Sequence, residues 1–184
     1  MKSLRLALCA LGTFLVSSQA VAGITVLGNG SAAVTCYQSA EARARTAMAI
    51  AQCSTALNDD MLNVDDRVAT LINRGIVLML ADRTSEAVRD FDHAITIDAN
   101  QPEAYLNKGL TQFRLGDSVG AQALASRALE LRTRKPAIAY YVRALAAEDR
   151  GDVRSAYADL RRAAAIEPGW SEPATELQRY RVRR

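Results

Sequence analysis

Side chains able to perform catalysis are scarce in this sequence. His93 is the only histidine of the chain, so any serine or cysteine nucleophile would depend on this one residue as its base. We expect His93 to be a solvent-facing helix residue. The sequence predicts no catalytic residue, no metal ligand and no cofactor, and enzymatic activity is the least favoured of the functions considered below.

Two acidic pairs, Asp59-Asp60 and Asp65-Asp66, flank a short loop that could attract calcium. Their spacing differs from that of an EF-hand loop, which needs oxygen ligands at alternate positions and a closing glutamate. We therefore favour a structural role, in which Asp65 or Asp66 caps the N-terminus of a helix.

Two cysteines, Cys36 and Cys53, are the chain's strongest candidates for covalent chemistry. Their spacing is far from C-x-x-C and no histidine accompanies them, which argues against a redox or zinc site. In an oxidising compartment an even pair predicts a disulfide. Two buried free thiols are the alternative.

The first 22 residues indicate such a compartment. Basic residues precede an apolar stretch, Leu6–Val16, which is too short to cross a bilayer as a helix. Ala20-Val21-Ala22 then offers the small residues that signal peptidase recognises, with cleavage before Gly23. We predict a signal peptide over 1–22 and a periplasmic or secreted protein; an uncleaved N-terminal anchor is the alternative.

The charge of the mature chain argues against a nucleic-acid partner. Removing Lys2 and Arg5 from the 23 Lys and Arg leaves 21 against 20 Asp and Glu, a net charge of +1. Proteins that bind nucleic acid usually carry a strong basic excess. No second apolar stretch reaches transmembrane length, so the mature form is expected not to span a membrane.

The positions of these residues depend on a repeat of 34 residues, seen three times. In the second copy, Pro102 suits the first turn of a helix and Gly116-Asp117 suits its end. Small residues at Gly109, Ala121 and Ala128 would let two antiparallel helices approach closely. Each copy is therefore expected to form a helix pair. The copies are 68–101, 102–135 and 137–170.

This pattern resembles the tetratricopeptide repeat family. The resemblance covers 68–170 and departs from the family at Ala144 and Ala125, where glycine and a large residue are usual. It implies an all-α fold, an α-solenoid of antiparallel helix hairpins; unrelated hairpins are the alternative. The matching residues are Leu71, Tyr105 and Tyr140, then Gly75, Gly109 and Ala144, then Ala87, Ala121 and Ala156, then Phe91, Ala125 and Leu160, then Ala94, Ala128 and Ala163, and Pro168.

Both ends of the chain are interpreted as adaptations of the same unit. Residues 23–67 would form a degenerate N-terminal hairpin. A disulfide between Cys36 and Cys53 would join its two helices. Residues 171–184 would supply a short C-terminal cap helix with a polar outer face, which a terminal solenoid unit needs for solubility, and a basic tail.

The resemblance also implies a groove, because the first helix of each unit lines the concave face of such a solenoid. Asn73 and Asn107 take equivalent places, where family members use the amide to hold a peptide backbone; the alternative is that they only follow the repeat pattern. Members that clamp a carboxylate have basic residues where this chain has Ile72 and Ile76. The predicted groove residues are Ile72, Asn73, Ile76, Met79, Leu106, Asn107, Leu110, Phe113, Tyr141 and Leu145.

We therefore predict a non-catalytic scaffold or adaptor of the bacterial envelope that binds a protein or peptide partner. The apolar groove favours an amphipathic helix or an apolar strand as the ligand. A homo-oligomer that buries its own groove is one alternative. In another, the chain's own residues 23–30 fill the groove.

Overall fold

The computed structural model describes residues 31–59 and 61–180. The predicted signal peptide over 1–22, its cleavage site, the segment 23–30 and the basic tail at 181–184 lie outside the described residues. Within the described ranges the chain forms nine helices and no strand. They are α1 (Ser31–Glu41), α2 (Ala47–Leu57), α3 (Val64–Leu80), α4 (Thr84–Ile97), α5 (Pro102–Arg114), α6 (Ser118–Glu130), α7 (Pro136–Asp149), α8 (Val153–Ile166) and α9 (Ser171–Leu177).

Consecutive helices pack as antiparallel pairs. The pairs are α1 with α2, α3 with α4, α5 with α6 and α7 with α8, while α9 packs against α8. Each pair also contacts the next, so the pairs stack in chain order. The predicted all-α solenoid of helix hairpins, with an N-terminal hairpin and a short C-terminal helix, is confirmed.

The turn inside each repeat depends on one residue in the left-handed region. Gly116 has a φ of 83° and Gly151 a φ of 79°, a conformation that glycine adopts without steric cost. Asp82 takes the same role in the first repeat, with a φ of 60°. Asp117 and Asp152 follow the glycines and cap the next helix, because their side chains accept a hydrogen bond from a backbone N–H three residues later.

The start of α3 differs from the prediction. Asn63 caps this helix: its side-chain oxygen accepts a hydrogen bond from the Asp66 N–H at 2.8 Å, and its amide donates to the Asp66 carboxylate at 2.7 Å. The predicted cap role of Asp65 or Asp66 is therefore wrong, and both lie in the first turn of α3, where negative charge is favourable. Because α3 begins at Val64, the predicted boundary between 67 and 68 falls inside a helix.

The third pair begins one residue earlier than the repeat alignment places it. Pro136, which the alignment leaves between two units, is the first residue of α7. Proline is well suited to this position because its missing N–H has no partner in a first helical turn anyway.

The N-terminal hairpin contains the predicted disulfide. Cys36 on α1 and Cys53 on α2 are joined by an S–S bond of 2.04 Å. Both side chains are fully buried. Because α1 and α2 both pack against α3, the bond stabilises the hairpin that covers the first side of the repeat array.

Small residues on the first helices allow the close approach of the second helices. A methyl group added at Gly75 would lie 2.5 Å from Cε1 of Phe91, a buried ring of α4. The equivalent residue of the third repeat is Ala144, and there Leu160 stands in the place of Phe91. The first repeat therefore combines glycine with a phenylalanine ring, and the third combines the larger alanine with the smaller leucine side chain.

Two arginines connect three helices each. Each arginine lies on a first helix and makes two hydrogen bonds of 2.7–2.9 Å to an aspartate on the second helix of its own pair. It also donates a hydrogen bond, at 3.1 or 3.3 Å, to a serine on the second helix of the preceding pair. The aspartates are almost fully buried. These arginine clamps consist of Arg74, Asp90 and Ser54, and of Arg143, Asp159 and Ser126.

The second repeat varies the clamp. Lys108 replaces the arginine, and Leu124 stands where the other repeats have an aspartate. Lys108 instead pairs with Asp92 of α4, with Nζ and Oδ1 2.5 Å apart. Asp92 occupies the place equivalent to the clamp serines, so the contact to the preceding pair is retained.

We expect Gly75→Ala to destabilise the fold by about 1–3 kcal/mol, because the new methyl group overpacks against Phe91. The third repeat suggests a rescue: in the double variant Gly75→Ala/Phe91→Leu, the pair becomes the alanine and leucine of Ala144 and Leu160. Chemical denaturation of the wild type, both single variants and the double variant measures the coupling. If the losses of unfolding free energy in the two single variants add up in the double variant, the packing argument is contradicted. Gly169→Ala, whose new methyl group meets no neighbouring atom, is the control.

We expect the double variant Cys36→Ala/Cys53→Ala to lose about 3 kcal/mol of unfolding free energy, because the disulfide no longer restricts the unfolded chain. The measurement is urea denaturation with and without a reductant. Reductant should lower the unfolding free energy of the wild type to that of the variant and should leave the unfolding free energy of the variant unchanged. A wild type that is insensitive to reductant, or a variant as stable as the wild type, would refute the stabilising role of the bond.

Candidate functional site

The candidate site lies on the first helices of the three repeats. Helices α3 and α5 contact each other, as do α5 and α7, so their outward sides form one continuous surface. We call this surface the first-helix face. All ten predicted groove residues lie on these three helices.

Three of the ten predicted groove residues are part of the core instead. Ile72 and Met79 are 4% exposed and Leu106 is 3% exposed. Ile72 and Met79 pack in one hydrophobic cluster and Leu106 in another. Their side chains are covered by other helices of the chain: the cluster of Ile72 and Met79 includes residues of α4, and Leu106 packs with Ala128 of α6 and Ala139 of α7.

Three other predicted residues recur at one repeat position. Ile76, Leu110 and Leu145 each follow the small residue of their first helix by one place, and all three are half-buried. Ile76 and Leu110 pack partly against the first core cluster. We call these three residues the apolar stripe. Phe113, one turn beyond Leu110, is also half-buried and extends the apolar surface.

The two predicted asparagines are half-buried on the same face. The amide of Asn107 donates a hydrogen bond to the Glu103 carbonyl of its own helix at 2.8 Å. The amide of Asn73 makes no hydrogen bond to any of the described residues. In the third repeat the equivalent residue is Val142, which is buried, so the row of amides contains two members.

The C-terminal end of the first-helix face has a different chemistry. Tyr141 makes an edge-on ring contact with Trp170, with centroids 4.8 Å apart. Arg179 pairs with Glu148 of α7 and, at 3.0 Å, with Glu176 of α9. Residues 170–179, which include α9, thus place an aromatic ring and charged groups of both signs beside α7. Of these residues, Tyr141 and Glu148 lie on the first helix that the sequence assigned to the groove, whereas Trp170, the single tryptophan, was not predicted as part of the site.

Burial and nearby carboxylates perturb two tyrosines at this end. Burial raises the pKa of the Tyr141 hydroxyl, and the negative charges of Glu176 and Glu172 raise it further. Burial also raises the pKa of Tyr180, with a further contribution from the charge of Glu148. Both hydroxyls therefore stay neutral at physiological pH.

Other possible sites carry little chemistry. His93 is exposed on α4, as expected. In the ranges 31–59 and 61–180, no three metal-ligating side chains come together. A cleft of about 160 Å³ between α2, α3 and α4 is lined by charged groups that already pair with each other, Arg74 with Asp90 and Arg83 with Glu86. None of the helices between residues 31 and 180 that the structure describes has the length and apolar character to cross a membrane.

Comparison with known proteins identifies the fold. No family model and no curated protein matches the sequence. Among solved structures, the first tetratricopeptide domain of Spaghetti (RPAP3) bound to the HSP90 peptide SRMEEVD is 21% identical, with 66% of this chain and 94% of that chain covered and a TM-score of 0.59. MamA from Desulfovibrio magneticus RS-1 is 17% identical, with 82% and 84% covered and a TM-score of 0.64.

PilW, a type IV pilus biogenesis factor, is 18% identical, with 80% of this chain and 67% of that chain covered and a TM-score of 0.66. These likenesses agree with the helix pairs and the close approaches described above. The chain is an α-solenoid with a tetratricopeptide-repeat-type fold.

We expect Tyr141 and Tyr180 to ionise above pH 10, the ordinary range for tyrosine. Because the fold favours their neutral forms, this contribution to stability is complete below about pH 10 and is lost as the pH rises through the higher pKa values of the folded state. An ultraviolet absorbance titration should show late-ionising tyrosines, and Tyr141→Phe should remove one late step. A variant whose late steps match those of the wild type would contradict the assignment; unfolded protein is the control.

Proposed function

We propose that this protein is a non-catalytic interaction scaffold of the bacterial envelope that binds a protein segment on its first-helix face. The observation that carries the proposal is the apolar stripe, in which one repeat position presents Ile76, Leu110 and Leu145 on three neighbouring helices, only partly buried each time. A partner that covered this stripe would remove apolar surface from water at three points along a line.

The chemistry of the face favours an apolar segment over a carboxylate terminus. The peptide in the RPAP3 structure, SRMEEVD, is acidic, whereas this chain has Ile72 and Ile76 where carboxylate-clamping repeats carry basic residues. Ile72 is also buried. An amphipathic helix or an apolar strand fits such a surface better. The amide of Asn73, which has no hydrogen-bond partner among the described residues, could bind the partner's backbone.

The proposed envelope location is supported by the sequence and by the disulfide. The first 22 residues have the pattern of a signal peptide. The bond between Cys36 and Cys53 is of a kind that persists in oxidising compartments such as the periplasm. A mature chain that begins at Gly23 would retain both cysteines.

We expect Leu145→Glu to abolish partner recovery from an envelope extract, because a carboxylate on the stripe opposes burial by an apolar segment. Leu145 is the preferred site, since Leu110 also packs against two core clusters and Leu110→Glu tests the fold as well as the face. The measurement is a pull-down followed by mass spectrometry.

The matched control is Val153→Glu, which places the same charge at an exposed apolar residue, 55% exposed, in the first turn of α8. Thermal unfolding of each variant checks that the fold is intact. Equal recovery by the wild type and by a folded Leu145→Glu variant would reject the stripe as a binding surface. Sedimentation tests the alternative that the partner is a second copy of this chain. In that case the wild type would form an oligomer and Leu145→Glu would dissociate it.

A further inference from the structure

The chemistry of the first-helix face changes along its length, and this change bears on the kind of partner. At α3 and α5 the face carries the half-buried apolar side chains of Ile76, Leu110 and Phe113 beside the amides of Asn73 and Asn107. At α7 and α9 it carries two aromatic rings and several carboxylates. A ligand at this second end would belong to the same face, and its assignment rests on the proposed function.

Among the described residues, carboxylates outnumber cations at this end. Glu148 lies on α7, and Glu172 and Glu176 lie on α9. Within the described residues, the basic group that pairs with them is Arg179, which contacts both Glu148 and Glu176. Glu172 is exposed and its carboxylate contacts the hydroxyl of Ser171. Counted over the residues up to 180 that the structure describes, Glu148, Glu172, Glu176 and Arg179 carry a net negative charge beside Tyr141.

Tyr141 also differs from the other tyrosines of the repeats. Arginine side chains lie over the rings of Tyr105, Tyr140 and Tyr157, at 5.3–6.0 Å from the ring centroids. No cation of the described chain lies over the ring of Tyr141, which contacts Trp170 instead. An aromatic ring beside carboxylates is a favourable place for a guanidinium or ammonium group, since both the ring face and the carboxylates attract positive charge.

We propose that the α7–α9 end receives an arginine or lysine side chain of the partner, while apolar residues of the same segment cover the apolar stripe. The basic group lies against Tyr141 and Trp170 and pairs with Glu172. The ligand is thus an amphipathic segment with a cationic residue at the end that contacts α9. Its charge is opposite to that of the acidic RPAP3 peptide. The ion pairs of Arg179 hold Glu148 and Glu176 in place.

The test selects binders from a random-peptide phage library on the purified protein. Enriched peptides that lack tryptophan are synthesised in two forms, with the basic residue and with glutamine in its place. Since Trp170 is the only tryptophan of the chain, its emission reports binding at this end. Affinities are measured for the wild type, Glu172→Gln and Glu172→Lys, with Glu130→Lys, an exposed glutamate of α6, as the matched control.

We expect the selection to enrich arginine or lysine at one position beside apolar residues. Glu172→Lys should lower the affinity for the basic peptide about tenfold, and Glu172→Gln should lower it less. The affinity for the glutamine peptide should stay nearly unchanged in both variants. Glu130→Lys should have no such effect. The emission of Trp170 should shift when the basic peptide binds and should not shift when the glutamine peptide binds.

Three results would overturn the inference. Peptides that bind and are lost in Leu145→Glu, yet show no basic preference and no response to Glu172→Lys, would refute the cationic ligand and leave the proposed function standing. A selection that yields no binder would count against both. Peptides that bind only after deletion of residues 181–184 would assign the site to the chain's own Arg181, Arg183 and Arg184 rather than to a partner.

Discussion

The architecture depends on the close packing of each first helix between two second helices, its own and the preceding one. Such packing leaves no room for a large side chain at the contact, and Gly75 shows how small the margin is, since a methyl group there would overlap the Phe91 ring. The arginine clamps act on the same geometry. Arg74 and Arg143 each bind an aspartate of one second helix and a serine of the other, which joins adjacent pairs as well as the helices within a pair.

The three repeats satisfy this constraint with different residues, and the substitutions are correlated. Where the second helix has Leu124 in place of a clamp aspartate, the first helix has Lys108, and the ion pair moves to the preceding pair through Asp92. Where Leu160 replaces an aromatic ring, alanine is tolerated opposite it. Such correlated changes conserve packing and charge balance at each interface although individual repeat residues vary, which explains why departures from the repeat pattern weaken single contacts and preserve the fold.

The sequence was sufficient to predict the helix pairs, their turns and the disulfide, because these follow from local spacing: Gly116 and Gly151 end helices, and Cys36 and Cys53 fall on adjacent helices. It was less informative about surfaces. Ile72 and Leu106 have the helical spacing of groove residues, but they are buried by contacts with other helices, and periodicity does not encode such tertiary contacts. The cap of α3 was missed because Asn63 precedes two aspartates that are themselves good capping residues.

The ends of the array explain why its binding face is not uniform. Inside the array, each first helix packs against its own second helix and against neighbouring pairs, so side chains such as Leu110 are half-buried. At the C-terminal end, α9 has no following second helix among the described residues, and polar groups such as Glu172 and Arg179 replace apolar ones, as a terminal repeat requires for solubility. The same residues that make the end soluble surround Tyr141 with charge. In the proposed complex, the interior repeats would therefore contribute apolar affinity, and the terminal helix would contribute discrimination by charge.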